Sequence, residues 1–357
     1  MIRKILGILL AAMCSFSALN GQSPTIGAVE VTPVVSDGYM LVSPFTTTNT
    51  YLIDNCGRRI NSWTNSIYRP GAAAYLLPDG SLIKAGNVQN PNFTLGGKGG
   101  IIERWSWDDS LMWSFEFSTS QYVAHHDFEV LPNGNVIILA AEKKQSLDLI
   151  AAGRNPALTV NDEVWSEFLV EVMPVGLDSG IIVWEWHAWD HLIQDYYAFA
   201  SDYGVVNEHP ERINLNYVPR TLTEDWQHMN SVDYNPELDQ ILLSVGEWSE
   251  RWIIDHGTST AEAAGSVGGT RGKGCELLYR FGNPFAYGRG TVADQYLSYL
   301  HDPQWIPDGL PNAGEILLYN NGNNRQYASV ELFAPPVTTP GDYIAPTAGQ
   351  AYGPSSV

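Results

Sequence analysis

The stretch YLLPDGSLIKAG at residues 75–86 joins two apolar segments through a Pro-Asp-Gly turn. Apolar runs on both sides of such a turn predict an antiparallel β-hairpin. The same arrangement returns in three further stretches: FEVLPNGNVIILA at 128–140, VDYNPELDQILLSV at 232–245 and QWIPDGLPNAGEILLY at 304–319. The chain is therefore built on a repeated hairpin.

A second kind of hairpin, ending near a tryptophan, lies between these copies. It occurs in TYLIDNCGRRINSW at 50–63, IIERWSWDDSLMW at 101–113 and FLVEVMPVGLDSGIIVWEW at 168–186, and more faintly in CELLYRFGNP at 275–284. Two hairpins per unit make a four-stranded blade, and radial repetition protects the edges of so many short strands. We expect an all-β β-propeller with about five blades.

The hairpin prolines lie further apart than the ~40–45 residues of simple propeller repeats, which predicts insertions. One insertion covers residues 142–158, where Leu147, Leu149 and Ile150 have helical spacing. Another runs from about 190 to 226. We expect both to be lids or decoration of the rim.

Composition and charge restrict the class of ligand. Charged residues make up 16% of the 357 residues, while 33 glycines and 21 prolines agree with short strands and many turns. The formal net charge of −20 would repel nucleic acid or an anionic membrane surface, so neither is expected as a partner. An anionic small molecule would need an enclosed site with a few well-placed donors.

The chain opens with MIRKILGILLAAMCSFSALNGQS, in which a cationic start precedes an apolar run and then small and polar residues. This layout predicts a signal peptide at 1–22, a propeller domain at 23–357, and a periplasmic or secreted protein. No later segment has the ~18 continuous apolar residues of a membrane span. Cys56 and Cys275 remain after cleavage, and an oxidising compartment would permit them to pair, which the sequence leaves open.

Three histidines hold the same position in the repeat. His126, His228 and His301 each stand where the first strand of a blade begins. Equivalent positions of successive blades surround the central axis, so these imidazoles should converge at one mouth of the channel. Neutral imidazole attacks and imidazolium donates in the same pH range, which favours a cluster of nucleophile and donors. Zinc is the alternative, but the spacings match no local metal motif and no cysteine accompanies them, so no metal is expected.

A bound nucleotide donor is not expected either. Lys273 lies in the glycine-rich stretch GGTRGKG, which is similar to a phosphate-binding loop. Val267 stands at the first required glycine, however, and Gly274 at the required hydroxyl residue. We therefore expect no cofactor.

Several ordered motifs together resemble the bacterial aryl-sulfate sulfotransferase family, from about Gly38 to about Pro336. They are HHDFEVLPNGN, DWQHMNSVDYNPELDQILLS, IIDHGTST, GKGCELLYRFGNP and HDPQWIPDG, with NNG at 320–322. The resemblance implies a six-bladed periplasmic propeller that moves a sulfuryl group from an aryl sulfate donor to a phenolic acceptor through a sulfated histidine. Because little sequence follows Ala328, we expect the chain to be C-terminally incomplete.

Matched by motif, the resemblance implies that His301 is the nucleophile and that His228 and His126 are donors. It also places His125 and Asn230 in the substrate-binding region. The family's arginine falls near Gly246, and the glutamine that often precedes the nucleophile is Leu300 here. Arg251 and Lys273 are then the candidates for binding the sulfate. The aromatic residues that flank these segments, as candidates for holding an aromatic ring, are Trp226, Trp248, Trp305 and Tyr122.

Two other functions remain open from the sequence. A non-catalytic propeller could bind a ligand or a partner on its rim, and a sulfatase would hydrolyse its substrate without an acceptor. Acceptor dependence distinguishes the transferase from both. The natural donor, the natural acceptor and the oligomeric state do not follow from the residues.

Overall fold

The computed structural model describes residue 32 and residues 35–354. The chain divides into two compact units, one of Met1–Val42 with Thr50–Ser62 and one of Ser43–Asn49 with Trp63–Val357. The predicted signal peptide lies outside the described residues. Among those residues, no helix has the length and apolar character needed to cross a membrane.

The smaller unit holds an antiparallel sheet in the order β1-β2-β3. Its strands are β1 Tyr39–Val42, β2 Thr50–Asp54 and β3 Arg59–Trp63, the last residue of which already belongs to the larger unit. The turn between β2 and β3 is closed by Asp54, whose Oδ1 accepts the backbone N–H groups of Cys56 and Arg58, each at 2.9 Å. This is the hairpin predicted at 50–63.

The larger unit contains four antiparallel blades, each in sequence order. The first consists of β4 Arg69–Leu76, β5 Leu82–Asn87, β6 Gly100–Trp105 and β7 Leu111–Glu116. The second consists of β8 Tyr122–Val130, β9 Val136–Gln145, β10 Glu163–Val175 and β11 Ser179–His187. Helix α1 Ser146–Ala152 and a 3₁₀ turn at Pro156–Leu158 connect β9 to β10.

A long connection follows, with 3₁₀ turns at Ala188–His191 and Val206–Glu208 and a short parallel pair of β12 Leu192–Ile193 and β13 Ile213–Asn214.

The third blade consists of β14 Met229–Asn235, β15 Gln240–Val245, β16 Glu250–Asp255 and β17 Tyr279–Phe281, with helix α2 Thr260–Ala263 before β17. After 3₁₀ turns at Pro284–Tyr287 and Val292–Asp294, the fourth blade consists of β18 Leu300–Trp305, β19 Ile316–Asn320 and β20 Ser329–Phe333. A small hairpin of β21 Val337–Thr339 and β22 Asp342–Tyr343 completes the described chain.

The predicted all-β propeller with about five blades is confirmed: the described residues form five antiparallel blade sheets, the sheet of the smaller unit included. The four proline hairpins are β4–β5, β8–β9, β14–β15 and β18–β19. Their turns need a residue with positive φ, which is Gly80, Gly134 and Gly309 in three hairpins and Asp239 in the fourth. The expectation that the chain continues beyond its last residue stays a prediction.

The insertion predicted at 142–158 is only partly helical. Strand β9 continues to Gln145 and pairs with the start of β10, so α1 is confined to seven residues. Leu149 is buried, while Leu147 and Ile150 are exposed. The helical spacing therefore predicted the helix correctly, but only one of its three apolar residues is buried.

The first strands of the four blades lie side by side, β4 next to β8, β8 next to β14 and β14 next to β18. Each of these strands is interrupted by a β-bulge, and the bulges lie between Pro70 and Ala74, Ala124 and Phe128, Met229 and Ser231, and His301 and Gln304. A bulge redirects the side chains beside it. The bulge of β8 contains His126, which therefore leaves the regular alternation of its strand.

The two thiols in the described residues are both free, Cys56 exposed and Cys275 buried. Burial raises the pKa of the Cys275 thiol to about 12, and its Sγ donates to the carbonyl oxygen of Asp255 at 2.6 Å. Cys275 is thus an inert core residue at neutral pH.

His256 forms a charged link between the second and third blades. Its Nδ1 lies 2.6 Å from Asp239 and its Nε2 lies 3.1 Å from Glu171 on β10. Burial opposes the charged ring, but the two carboxylates outweigh it and raise the pKa of His256 to about 9. The imidazolium therefore joins the two blades at neutral pH.

We expect His256→Gln to lower the free energy of unfolding by roughly 3 kcal/mol at pH 6, the value of a pKa near 9 against an unfolded value of 6.5. A raised pKa stabilises the fold fully below the unfolded value, and this stabilisation is lost as pH rises through about 9. Denaturant unfolding at pH 6, 8 and 10 measures this, with the exposed His209→Gln as control. Equal losses of stability at pH 6 and pH 10 would contradict the charged link.

Candidate functional site

Four histidines approach one another at the bulged ends of the inner strands, and we call His125, His126, His228 and His301 the histidine cluster. His126 lies in the bulge of β8 and His228 directly before β14, both with left-handed backbone at φ 53° and 50°. Their ring centroids are 4.7 Å apart. The ring of Tyr299 contacts those of both His228 and His301, at centroid distances of 5.7 and 5.5 Å. The structure thus brings together all three histidines that share the repeat position.

A chain of hydrogen bonds links Glu167, His125 and His126. Nε2 of His125 lies 2.8 Å from Oε2 of Glu167, and Nδ1 of His125 lies 2.7 Å from Nδ1 of His126. One of the two facing Nδ1 atoms donates and the other accepts, so the contact orients both rings. The role of His126 as a donor to the substrate stays a prediction.

Asp225 favours the charged form of His228. Oδ2 of Asp225 lies 2.6 Å from Nδ1 of His228. Burial disfavours the charged ring, but the hydrogen bond and charge of Asp225, with smaller contributions from Glu167 and Glu247, raise the pKa of His228. The side chain is thus suited to donate a proton from Nε2.

His301 has the opposite tendency. Its Nδ1 lies 3.0 Å from the side-chain oxygen of Asn321, so Nδ1–H donates and Nε2 carries the lone pair. Burial, together with the charge of His228, lowers the pKa of His301 despite the hydrogen bond to Asn321. The lowered pKa favours the neutral imidazole of His301, and a neutral imidazole is the state a nucleophile requires.

Among the imidazoles of the cluster, positive charge is favoured on His228. Burial and the neighbouring imidazoles of His125, His228 and His301 lower the pKa of His126 well below its usual value. Two adjacent rings cannot both be charged cheaply in a buried site, and the carboxylate of Asp225 selects His228. The raised pKa of His228 and the lowered pKa values of His126 and His301 therefore favour the proton on His228.

Two glycines lie directly on the imidazoles. The carbonyl of Gly97 accepts the backbone N–H of His126 at 2.6 Å, and a Cβ on Gly97 would lie 2.1 Å from the His126 ring. A Cβ on Gly96 would lie 3.2 Å from the ring of His228. The loop that contains Gly96 and Gly97 therefore has no room for a side chain next to these two imidazoles.

We expect Gly97→Ala to reduce turnover at least ~10-fold by displacing the His126 ring, because misplacement of a catalytic group by about 1 Å can slow an enzyme ~10²-fold. Gly134→Ala is the matched control: both glycines have positive φ, but nothing lies within 4 Å of a Cβ on Gly134. Both variants should lose about 1 kcal/mol of stability from backbone strain. Steady-state rates and denaturant unfolding measure the two effects, and equal activity of the two variants would show that the contact is unimportant.

Of the other predicted residues, Asn230 lies beside the cluster. Its Nδ2 donates to the carbonyl of Leu300 at 2.9 Å and so holds β18 next to the nucleophile candidate. Within the described residues, its buried Oδ1 has no hydrogen-bond partner. Gly246 packs against the same group, since a Cβ there would lie 2.8 Å from Asn230 Nδ2 and 3.0 Å from the carbonyl of His228. No arginine side chain fits at Gly246 without a rearrangement.

Arg251 and Lys273 are not part of the cluster. Arg251 is fully buried on β16, with its guanidinium 2.9 Å from the ring centroid of Phe333 and 4.6 Å from that of Phe281. Burial lowers the pKa of Arg251 to about 9. Lys273 is exposed on the loop before β17, where its charge acts on Asp342. No lysine or arginine in residues 35–354 hydrogen-bonds a histidine of the cluster.

The aromatic residues predicted to hold a substrate ring are mostly core residues. Trp226 and Trp248 are fully buried and contact each other at 5.1 Å. Trp305 is also buried, and Tyr122 packs on Phe117 at 4.5 Å. The aromatic residue that contacts the histidine cluster is instead Tyr299.

Sequence reasoning missed the acidic partners and Tyr299. Asp225 stands three residues before His228 in DWQH, a spacing that could have signalled an Asp–His pair. Glu167 interrupts the buried apolar run of β10, and such a buried carboxylate needs a partner. Tyr299 offers no comparable signal, because its position depends on its left-handed backbone at φ 57°.

Metal binding has no support in the described part of the chain, where no group of three or more His, Cys, Asp or Glu is arranged to hold an ion. The cluster's nitrogens face one another and carboxylates as donor–acceptor pairs.

Comparisons with known proteins give one strong match. A family model described as arylsulfotransferase (ASST) matches residues 36–336, which is most of the chain. A search of curated proteins found no match. Among solved structures, a protein of unknown function from Bacteroides caccae has 9% identity and a TM-score of 0.41, with 84% of this chain and 73% of that chain covered. Hydrazine synthase of Kuenenia stuttgartiensis has 12% identity and a TM-score of 0.44, with 85% and 70% covered. At these TM-scores neither structure bears on the function of this chain.

Proposed function

The chain belongs to the arylsulfotransferase family, and from this premise we propose that it moves a sulfuryl group from an aryl sulfate to a phenolic acceptor through sulfated His301. The observation that carries the proposal is that the pKa values of two imidazoles in contact with Tyr299 shift in opposite directions. The pKa of His301 is lowered, and the pKa of His228 is raised beside Asp225. A nucleophile and an acid are thereby available at the same pH.

In the first half-reaction, Nε2 of His301 attacks the sulfur of the donor, and the bond from sulfur to the phenolic oxygen breaks. The leaving phenolate takes the Nε2 proton of His228 and departs as a phenol. Sulfuryl transfer resembles phosphoryl transfer in its in-line path and its charge spread over three oxygens, so positioning supplies most of the catalysis. The products of this step are the phenol, neutral His228 and sulfated His301.

In the second half-reaction, the acceptor phenol gives its proton to the now neutral His228 and attacks the same sulfur. The bond from sulfur to Nε2 of His301 breaks, and the resulting aryl sulfate leaves both histidines in their starting states. His126 is held by His125 and Glu167 next to His228, and its lowered pKa favours positive charge on His228 instead. The overall exchange needs no nucleotide and no redox partner.

The test is release of a coloured phenol from 4-nitrophenyl sulfate with and without an added phenol. The proposal requires that sustained release depend on the acceptor and that sulfated acceptor form in equal amount. Release at the same rate without acceptor would show hydrolysis instead. Binding of the ester without any release would show a non-catalytic propeller.

Export is part of the proposal. It rests on the charge and apolar pattern of residues 1–22, together with a phenolic exchange that needs no cytoplasmic nucleotide donor. Fractionation of cells that express the full chain tests it, and N-terminal sequencing should find the start of the mature protein near residue 23. An intact N-terminus in the cytoplasmic fraction would contradict it.

A further inference from the structure

We propose that Arg220 recognises a second anionic group on the phenolic substrate, so that the enzyme favours phenols bearing a carboxylate or similar acid. This inference rests on the proposed function for the identity of the substrate as a phenol. Arg220 lies on the connection between β13 and β14, and its guanidinium is 4.8 Å from the ring centroid of Tyr299. Tyr299 in turn contacts the rings of both His228 and His301. Arg220 is thus a cation that contacts the same tyrosine ring as the two reacting histidines.

A cavity of about 260 Å³ lies beside this arginine. Its size suits a single aromatic ring, since drug-sized ligands occupy ~300–1,000 Å³. The lining combines apolar and aromatic side chains with amide and hydroxyl groups and the carboxylate of Glu247; it also includes Tyr217, Pro219, Phe285, Ser298, Asn323 and Asn324. Such a lining accepts a flat ring that bears polar substituents.

The cavity and the nucleophile share a loop. Asn321 hydrogen-bonds Nδ1 of His301, while Asn323 and Asn324 line the cavity. The backbone N–H groups of Gly322 and Asn324 donate to the carbonyl and hydroxyl of Ser298, which fixes this loop. A ring seated in the cavity therefore lies next to the segment that positions His301.

Arg220 has donors left for a ligand. Its Nη2 donates to Oε1 of Glu247 at 3.2 Å. About half of the side chain, 52%, is exposed. The other oxygen of Glu247 accepts the backbone N–H of Thr221 at 3.2 Å. Glu247 orients the guanidinium without enclosing it, so a carboxylate in the cavity can accept from the remaining N–H groups. In a protein with a net charge of −20, such a local cation is what an acidic substrate requires.

The experiment compares 4-hydroxybenzoate with its neutral analogue 4-hydroxybenzamide, which has nearly the same shape. We expect the wild-type protein to bind the acid more tightly by titration calorimetry. Arg220→Gln should weaken binding of the acid by roughly 10–100-fold, the value of a hydrogen-bonded charge, and should change binding of the amide by less than about threefold. Arg104→Gln, which removes an arginine paired with Asp79 on the first blade of the larger unit, is the control and should change neither.

Calorimetry separates this proposal from the proposed function, because it needs no turnover. Equal affinity of the wild-type protein for acid and amide, an equal loss for both in Arg220→Gln, or no binding of the acid would overturn the role of Arg220. If the acid binds through Arg220 but no transfer occurs, the sulfotransferase mechanism fails and the acidic-ligand site stands. Glu247→Gln gives a second measurement, since removal of the competing carboxylate should tighten binding of the acid several-fold.

Discussion

His301→Ala should abolish both half-reactions, with a fall in turnover of at least ~10⁴-fold, because removal of a covalent nucleophile leaves no path to the intermediate. The lowered pKa of His301 and the hydrogen bond to Asn321 that orients its ring are the reasons for choosing this residue. Wild-type protein mixed with 4-nitrophenyl sulfate and no acceptor should release one equivalent of nitrophenol. Peptide mass spectrometry should then locate one acid-labile sulfuryl group on the segment that contains His301.

The matched control for this variant is His209→Ala, which removes an exposed histidine paired only with Glu211 in the described structure. It should keep the burst of nitrophenol and the label. A label that persists in His301→Ala, or that maps to His228 or His126, would show that another imidazole attacks, even if acceptor-dependent transfer is observed.

His228→Gln should slow transfer by about 10²–10³-fold, the usual effect of losing one donor or general acid at a reaction centre. The loss should be larger with phenyl sulfate than with 4-nitrophenyl sulfate, because a poorer leaving group needs the proton more. Sulfated His301 should still form slowly, which separates an acid from a nucleophile. An equal loss with both esters would indicate that His228 does not protonate the leaving phenolate.

The pH profile provides a control for the same residue. The first half-reaction should decline in acid as His301 is protonated and in alkali as His228 loses its proton, following their lowered and raised pKa values. Asp225→Asn removes the carboxylate that raises the pKa of His228, so the alkaline limb should move to lower pH. An unchanged alkaline limb in this variant would assign that limb to another group.

The histidine cluster shows how far a repeat can locate a site. Three imidazoles at one position of the repeat predicted a convergence, and the structure brings His126 and His228 into ring contact and places His301 one tyrosine away. Their protonation could not be read from the repeat, because it depends on Glu167 from β10 and on Asp225 from the long connection before β14.

For the cationic residues, in contrast, the position along the sequence did not predict the position in the structure. Arg251 and Lys273 were chosen because they stand near the motifs along the chain, yet one is buried among aromatic rings and the other is exposed on a separate loop. Arg220 lies in the long connection before β14, and its guanidinium reaches Tyr299, a residue distant from it in the sequence. Proximity in sequence is a poor guide to the placement of long side chains in loops.

The sequence by itself determined the elements that local chemistry controls. Turn residues and alternating apolar positions act over a few residues, so every proline hairpin and the all-β propeller class followed from them. Only the tertiary structure decided which carboxylates meet which imidazoles, which glycines cover the rings, and which arginine lies beside the cavity. These contacts join residues from different blades and insertions, and protonation depends on burial and on charges a few ångströms away, which no local pattern encodes.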